Sequence, residues 1–461
     1  MRRNESRPTI RRLGILIAIG TFVLGGLAAF RAGPAPEISI EAALPGIGKR
    51  TPVRVTVAEP KRGLSAVRVE FVQGERVTEL EARAYSPIEA WQFWGERTEQ
   101  DEFVFEVGSE TLNGIKEGPA VIRVLADRAS SWLRYPEPAM QQLTLEVKLR
   151  PPTLQVTSSF TYVKQGGCEA VVYTVGESSV RDGVRAGDWW FPGYPTPGGG
   201  AGERFVVFGA PYNLDDSAQI RLVARDDVGN EAQASFIDQF TKRPPRSDRI
   251  RLSDAFMERV VPAIMAQTPD LKDRGNLLDN YLAINGELRG TNNRTLIELS
   301  ESSAGQFLWS RNFLQMRNAQ VMSDFADQRT YIYQDQAVDQ QDHLGFDLAS
   351  TQAAEIQAAN DGVVVLARYF GIYGNAVVID HGYGLMSLYG HLSSLAVSEG
   401  QQVSRGDVVG RSGATGLAGG DHLHFTMLLQ GLPVDPREWW DAHWIGDRLK
   451  LKLGRALPFD G

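Results

Sequence analysis

The residues of this chain whose type and spacing most directly indicate a chemical function are its few histidines. The 461 residues include six histidines, and five of them lie from His343 to His424. Four short segments carry them, reading DHLGFDLAS, GNAVVIDHG, LYGHLS and GDHLHFTML. Asp347 follows His343 by four residues in the first segment. Because neutral imidazole and carboxylate are usual nitrogen and oxygen ligands of zinc, this concentration predicts a metal site.

His422 and His424 occupy alternate positions in a segment that has the pattern of a strand. The apolar residues Phe425, Met427 and Leu429 alternate in the same segment. Since residues i and i+2 of a strand share one face, both imidazoles are expected to point to the same side. Taken alone, the pair has two interpretations. It is either a metal-binding or catalytic pair, or a pair of packed or surface imidazoles.

The order of the four segments resembles the lysostaphin-type (LytM-like) zinc metallopeptidases. The stretches that connect them are also similar to that family, reading GNAVVIDHGYGLMSLYGHLS, VSEGQQVSRGDVVGRSGATG and GLPVDPREWW. The resemblance covers residues 331–445 and does not extend to residues 1–330. It implies a C-terminal antiparallel-β peptidase domain that hydrolyses peptide crosslinks of bacterial peptidoglycan.

The resemblance also implies roles for five residues by their position. His343, Asp347 and His424 match the three zinc ligands of the family, so zinc is the expected cofactor. His391 and His422 match its two active-site histidines that do not bind the metal. Three protein ligands leave one position of a tetrahedral ion for water, as in catalytic sites. One free histidine would transfer protons and the other would stabilise the oxyanion, and the sequence allows either assignment.

The other two histidines are expected to have no catalytic role. His381, in the strand pattern GNAVVIDHG, is interpreted as structural, and His443, in WWDAHW, as packed or exposed. The segment VSEGQQVSRGDVVG is also similar to biotinyl and lipoyl carrier domains, which attach their cofactor to a lysine. No lysine occurs between Lys272 and Lys450, which excludes a carrier.

A non-catalytic function is the main alternative. Some relatives of these peptidases have lost metal ligands and act as activators of cell-wall hydrolases. All three ligand positions and both further histidines are present here, which favours the enzyme. The resemblance to the family implies that peptidoglycan stem peptides are the substrate.

The composition is that of a globular protein. Hydrophobic residues make up 43 % and charged residues 23 % of the chain, which excludes a wholly disordered chain and a polytopic membrane protein. The net charge of −8 argues against nucleic acid as the main partner. The single cysteine, Cys168, excludes intrachain disulfides and cysteine-based metal sites.

The amino-terminal residues predict a single-pass anchor in the inner membrane. The uncharged stretch from Leu13 to Phe30 would rise about 27 Å as a helix, enough to cross the hydrocarbon core. Arginines dominate the residues before it, which predicts a cytoplasmic N-terminus and a periplasmic catalytic part. A cleaved signal peptide is the alternative. The arginines that precede the uncharged stretch are Arg2, Arg3, Arg7, Arg11 and Arg12.

The remaining patterns predict a multidomain, mainly β chain. Period-two alternation, as in Val53, Val55 and Val57, indicates antiparallel strands, whereas Phe256, Val260 and Ile264 recur at helical spacing. We expect two immunoglobulin-like β-sandwiches and a helical region before the peptidase domain. The sandwiches are interpreted as spacers or as adaptors for cell-envelope protein partners. The expected regions are 1–36 (anchor and linker), 37–150 and 151–241 (sandwiches), 242–330 (helical) and 331–461 (peptidase).

Overall fold

The computed structural model describes residues 7–31, 35–92, 94–130 and 137–460. They divide into two compact units, residues 1–151 with 225–231 and residues 152–224 with 232–461. The first helix, α1, is Arg7–Arg31. Judged by length and apolar character, none of the helices in these ranges qualifies as a membrane span. The anchor stays a prediction, and Arg2, Arg3 and the start of the 33–36 linker lie outside the described residues.

The first unit consists mainly of antiparallel strands in two sheets, with orders β1-β3-β6 and β2-β8-β7-β4-β5. Both sheets contribute to one hydrophobic core. The predicted alternation is clearest in β3, where Val53, Val55 and Val57 are buried. The strands are Glu37–Ala42 (β1), Gly46–Ile47 (β2), Thr51–Ala58 (β3), Leu64–Gln73 (β4), Arg76–Ala84 (β5), Gln100–Val107 (β6), Gly118–Arg128 (β7) and Ala139–Val147 (β8).

The second unit begins with another set of short strands. They form two four-stranded sheets, β14-β15-β11-β9 and β13-β12-β16-β17, and a parallel pair, β10-β18. The strands are Leu154–Val156 (β9), Tyr162–Lys164 (β10), Cys168–Val175 (β11), Ser179–Ala186 (β12), Trp189–Pro192 (β13), Tyr194–Pro195 (β14), Glu203–Gly209 (β15), Ile220–Asp226 (β16), Glu231–Ala234 (β17) and Gln239–Thr241 (β18).

A helical region follows strand β19 (Ser247–Arg251). Ser253 caps the first of its helices, because its side-chain oxygen accepts a hydrogen bond from the backbone N–H of Phe256. The helical spacing of the apolar residues buries Val260 and Ile264. The helices are Asp254–Gln267 (α2), Leu277–Ala283 (α3) and Arg289–Glu301 (α4), and a π-helical turn at Ile284–Leu288 joins the last two.

The C-terminal part is built on one large sheet with the order β20-β23-β31-β27-β26-β25-β29, in which β32 also pairs with β31. Two smaller sheets have the orders β19-β21-β22 and β24-β30-β28. Its elements are Gln320–Ser323 (β20), Asp327–Tyr333 (β21), Gln336–His343 (β22), Phe346–Ala349 (β23), Glu355–Gln357 (β24), Gly362–Tyr369 (β25), Asn375–Asp380 (β26), Leu385–Leu392 (β27), Ser394–Leu395 (β28), Gln402–Val403 (β29), Val408–Arg411 (β30), Leu423–Leu429 (β31), Leu432–Val434 (β32), Pro436–Trp440 (α5), Ala442–Trp444 (α6) and Leu451–Leu453 (α7).

Alternate residues of β31 belong to different hydrophobic cores. Phe425 and Met427 join the core that includes the strands of the second sandwich. Leu428 joins the core formed with the helical region, which includes Val260 and Leu296. Because side chains alternate along a strand, β31 presents one face to the sandwich and the other to the helices.

The prediction of a mainly β, multidomain chain is confirmed. The immunoglobulin-like character of the two sandwiches stays a prediction, as do the boundaries between the expected domains. The helical region and the large sheet share a core, so this part of the second unit is packed as one body.

Candidate active site

Three of the predicted residues converge where β22, β23 and β31 meet. His343 is the last residue of β22, and Asp347 and His424 are direct partners in the register of β23 and β31. Asp347 Oδ1 lies 3.0 Å from His343 Nε2 and 2.9 Å from His424 Nδ1. The two imidazole nitrogens are 3.2 Å apart. These three atoms form the one group among the described residues with the composition and spacing of a metal site.

Hydrogen bonds outside the cluster determine which nitrogen of each imidazole carries a proton. His343 Nδ1 donates to the backbone oxygen of Asp324 at 2.9 Å, so its Nε2 presents a lone pair. The hydroxyl of Thr426 donates to the backbone oxygen of Leu344 at 3.0 Å, and it therefore accepts from His424 Nε2, also at 3.0 Å. His424 Nδ1 is left with a lone pair that faces the cluster.

Gly345 makes the contact between His424 and Thr426 sterically feasible. A Cβ atom at this position would lie 2.6 Å from Thr426 Oγ1 and 2.7 Å from His424 Nε2. Any larger residue would therefore displace the pair that orients His424. The glycine between His343 and Asp347 is thus required by packing around the site.

The arrangement fits a zinc ion. Two imidazole lone pairs and a carboxylate oxygen face one another with no proton between the nitrogens, which is unfavourable unless a cation lies among them. Ligand atoms of a tetrahedral zinc site lie roughly 3.4 Å apart, close to the separations here. Nitrogen and carboxylate donors are a usual set for zinc. His343, Asp347 and His424 are therefore suited to hold this ion.

Asp347 is held as a carboxylate by its neighbours. Burial by itself raises the pKa of its carboxyl, but the imidazoles of His343, His422 and His424, when they are protonated and donate to it, lower that pKa well below its usual range. Its second oxygen, Oδ2, accepts a hydrogen bond from Arg329 Nη2 at 2.8 Å. The guanidinium thus orients the carboxylate so that Oδ1 faces the imidazoles.

His391 and His422 lie beside the cluster without joining its centre. Their ring centroids are 4.8 Å apart, and that of His391 is 5.7 Å from that of His424. Nδ1 of His391 donates to the backbone oxygen of Thr415, and Nδ1 of His422 donates to that of Gly420, both at 2.9 Å. Nε2 of His391 therefore presents a lone pair, whereas Nε2 of His422 lies 3.4 Å from Asp347 Oδ1 and donates to it when the ring is protonated. Burial by itself lowers the pKa of His422, but this carboxylate raises it above its usual value.

The backbone around His391 is irregular in a way that aims its side chain. Its φ is +65°, a left-handed conformation that is rare for residues other than glycine. The pairing of β26 with β27 also shifts here, since Val377 faces Tyr389 while Asn375 faces Leu392. Bulges and left-handed residues of this kind redirect side chains at functional sites.

The remaining histidines lie apart from the cluster. His381 is fully buried, its Nδ1 donates to the backbone oxygen of Asp361 at 2.7 Å, and its Nε2 lies 2.8 Å from the hydroxyl of Ser387. Burial lowers the pKa of this imidazole to about 4. His443 is exposed.

Two residues that matter for the site were not predicted from the sequence. Thr426 follows His422 and His424 at alternate positions, so the sequence pattern was sufficient to predict that its side chain lies on the same face of the strand. Arg329 precedes Asp347 by 18 residues and reaches it across the β21–β22 hairpin. No local pattern marks that arginine.

The part of the chain that carries this site matches a known protein family. Residues 341–436 match the sequence profile of Peptidase family M23. The C-terminal region therefore carries an M23 (LytM-type) peptidase domain, which confirms the predicted resemblance.

The sequence similarity to individual curated proteins spans about a fifth of this chain. The peptidoglycan DD-endopeptidase ShyA of Vibrio cholerae is 44 % identical over 93 residues, which is 20 % of this chain and 22 % of ShyA. The murein hydrolase activator EnvC of Escherichia coli is 39 % identical over 95 residues, which is 21 % of this chain and 23 % of EnvC. The match thus spans about a fifth of these relatives. The solved structure of a zinc-containing peptidase from Vibrio cholerae is 14 % identical in sequence and has a TM-score of 0.26. The structural alignment covers 69 % of this chain and 80 % of that one.

Proposed function

We propose that the M23 domain is a zinc-dependent endopeptidase that hydrolyses peptide crosslinks of peptidoglycan. The observation that carries the proposal is the convergence of His343 Nε2, His424 Nδ1 and Asp347 Oδ1. The other nitrogen of each imidazole is occupied by a partner outside the cluster. The substrate class is taken from relatives such as ShyA, which is described as a peptidoglycan DD-endopeptidase.

The three ligand residues and the two other histidines would have different roles in the reaction. The chemistry that zinc supplies in such a site is polarisation of a carbonyl and a pKa of water lowered to about 7. His343, Asp347 and His424 hold the ion, and Arg329 keeps the carboxylate in place. Binding of the substrate carbonyl next to this cluster would bring the scissile bond close to His391 and His422.

His391 and His422 are suited to move protons because the Nδ1 of each is held by a backbone oxygen and the Nε2 of each lies outside the group of three ligand atoms. One of them accepts a proton from the attacking water as the water oxygen bonds to the carbonyl carbon. The same proton then passes to the amide nitrogen as the carbon–nitrogen bond breaks, which releases an amine and a carboxylic acid. The other imidazole, when protonated, donates a hydrogen bond to the oxyanion.

Digestion of purified peptidoglycan by the full-length protein tests the proposal. We expect mass spectrometry to show crosslinked muropeptide dimers converted to monomers, each conversion adding one water. His391→Ala should slow the conversion at least about 100-fold, whereas the matched control His443→Ala, which replaces an exposed histidine outside the site, should leave it unchanged. Intact dimers with the wild-type protein would contradict the proposal.

The similarity to EnvC makes an activator the second candidate. The same experiment separates the two functions if a purified cell-wall amidase is added. An activator would increase release of peptides by the amidase while crosslinks stay intact, and this effect would persist in Asp347→Ala. The presence of the complete ligand set favours the peptidase.

We also propose that α1 holds the protein at the inner membrane with the M23 domain in the periplasm. Arginines precede an uncharged stretch, and apolar side chains of α1 such as Leu16 and Phe22 are exposed. Carbonate extraction of cells that express the full chain should leave it in the membrane pellet. The double variant Leu16→Asp, Phe22→Asp should release it. A soluble wild-type protein that lacks its first 30 or so residues would instead indicate a cleaved signal peptide.

A further inference from the structure

A cavity of about 310 Å³ adjoins the candidate active site on the face of the sheet that packs against the helical region. Its walls come from α2, α3, α4, strands β19 and β21, and the loop before His422. The side chains that matter here are those of Arg251, Tyr281, Arg289, Arg329, Tyr331 and Leu417. We refer to it as the arginine pocket.

The lining of the arginine pocket is positively charged. Three guanidiniums line it, and none of the described residues in its lining is acidic. Arg251 is at the exposed rim, where its Nη1 lies 4.0 Å from Asp335 Oδ1. Arg289 and Arg329 lie deeper, so the inner part of the pocket is suited to a negatively charged group that can accept hydrogen bonds.

Both inner arginines are held in place before any ligand arrives. Arg289 donates from Nε to the backbone oxygen of Asn285 at 2.9 Å and from Nη2 to the side-chain oxygen of the same residue at 2.5 Å. Asn285 is fully buried and donates in turn to Asp339 at 2.6 Å. Arg329 is held by Asp347 and by the hydroxyl of Ser323. Binding therefore costs little ordering of these side chains.

Two phenol groups complete the inner surface. Tyr281 and Tyr331 pack edge to face with ring centroids 6.1 Å apart. Burial raises the pKa of the Tyr281 hydroxyl, so this group remains a neutral hydrogen-bond donor at physiological pH. Guanidinium and phenol donors around an acid-free cavity match the planar acceptor geometry of a carboxylate.

The arginine pocket is continuous with the catalytic groups. Arg329 lines the pocket and also bonds Asp347, one of the three residues suited to hold zinc. The segment from Leu417 to Gly419 forms another wall, and Arg259 anchors it by donating to the backbone oxygen of Ala418 at 2.8 Å. The backbone oxygens that orient His391 and His422 belong to Thr415, two residues before this segment, and to Gly420, directly after it.

We propose that the arginine pocket binds a carboxylate of the substrate peptide and thereby sets which peptide bond reaches His391 and His422. This inference rests on the proposed function, since it concerns a substrate of the same site. Arg289 and Tyr281 act as positioning residues, because they contact the peptide away from the reacting bond. The carboxylate is either the C-terminal group of the peptide or a side-chain group.

Cleavage kinetics of crosslinked muropeptide dimers test the proposal. Arg289→Gln should raise KM at least about tenfold, because a charged hydrogen-bond partner of the carboxylate is lost, while kcat changes less than twofold. Arg289→Lys should recover part of the loss. Arg294→Gln is the matched control, since Arg294 is an exposed arginine of the same helix that does not line the pocket. Tyr281→Phe, which keeps the ring and its packing, should raise KM a few-fold.

Substrate variants identify the carboxylate. Dimers amidated at the C-terminus and dimers amidated at the free side-chain carboxyl are compared with the unmodified dimer. The amidation that raises KM for the wild type, and has no further effect in Arg289→Gln, identifies the bound group. An unchanged KM for both amidated dimers would overturn the proposal.

A binding measurement keeps this test separate from that of the proposed function. Calorimetric titration with a monomeric stem peptide, which contains no crosslink to cleave, should show weaker binding to Arg289→Gln than to Arg294→Gln. Equal affinities for the two variants would overturn the inference even if crosslinks are cleaved. A difference in affinity without any cleavage would support the pocket and count against the endopeptidase function.

Discussion

Two groups of buried histidines in the C-terminal sheet differ in what their nitrogens contact. His381 has a protein partner at both ring nitrogens, a backbone oxygen and a hydroxyl. In His343 and His424, one nitrogen has such a partner and the other faces a shared point beside Asp347. All three imidazoles are buried, so burial does not distinguish them.

The number of ring nitrogens that have a hydrogen-bond partner in the protein indicates the role of each imidazole. Where both nitrogens are satisfied, the ring is a packed polar group, and its burial lowers its pKa to about 4. Where one is left with a lone pair facing other ligand atoms, the cluster needs a cation. His391 and His422 are a third case, in which one nitrogen is satisfied and the other is available for proton transfer.

Removal of a ligand should have the largest effect. Asp347→Ala is expected to abolish both zinc binding and crosslink cleavage, because two imidazoles are rarely sufficient to hold the ion. Metal analysis of the purified full-length protein should show about one zinc per chain in the wild type and almost none in the variant. A variant at His381 provides the comparison, and His381→Gln should retain its zinc. If both variants lost zinc, the distinction between the two groups would be wrong.

Removal of a free imidazole should separate metal binding from turnover. His391→Ala is expected to keep full zinc content, while kcat for crosslink cleavage falls about 10²–10⁴-fold, the usual contribution of a general acid or base. His422→Ala should behave in the same way. Loss of zinc from either variant would show that our division between ligands and proton-transfer groups is incorrect.

Removal of the partner that orients a ligand should have a smaller effect. Thr426→Val keeps the shape of the side chain but leaves His424 Nε2 without its acceptor. We expect zinc affinity to fall about 10–100-fold, as is typical for such partners. Competition with a chelator measures this, and Thr426→Ser, which retains the hydroxyl, should remain near the wild type. An unchanged affinity in Thr426→Val would mean that the hydroxyl does not select the nitrogen.

The pH dependence of stability tests the packed histidine. The pKa of His381 is about 4 in the folded protein and about 6.5 in a free side chain, so the unfolded state binds more protons between these values. Stability should therefore fall as pH decreases from about 6.5 to 4, by about 3 kcal/mol in total. Denaturant titrations should show a smaller slope in His381→Gln than in the wild type, because the lowered pKa values of His391 and His424 contribute to the slope in both proteins. Equal slopes would contradict the assignment of His381.

Much of the site was predictable because its residues lie in short, ordered segments. The spacing of His343 and Asp347, and the alternation of His422 and His424, follow from local sequence and from the resemblance to a family. The role of Arg329 was not predictable, since it depends on the hairpin of β21 and β22. The bulge that redirects His391 depends likewise on pairing between distant strands.

The fold follows the same division between local and long-range information. Alternation in residues such as Val53 to Val57 predicted strands, and the spacing of Val260 and Ile264 predicted a helix, because these patterns are local. That the helical region shares a core with the large sheet was not predictable. Tyr281 and Arg289 of these helices line a pocket beside the site, which no local pattern indicates.

Anomalous diffraction from crystals of the full-length protein, recorded at the zinc absorption edge, would locate the ion directly. We expect one strong peak that is bonded to His343 Nε2, His424 Nδ1 and Asp347 Oδ1, with His391 and His422 uncoordinated. The absence of a peak from zinc-saturated crystals, or a peak coordinated by His391 or His422, would show that these three residues do not form the zinc site.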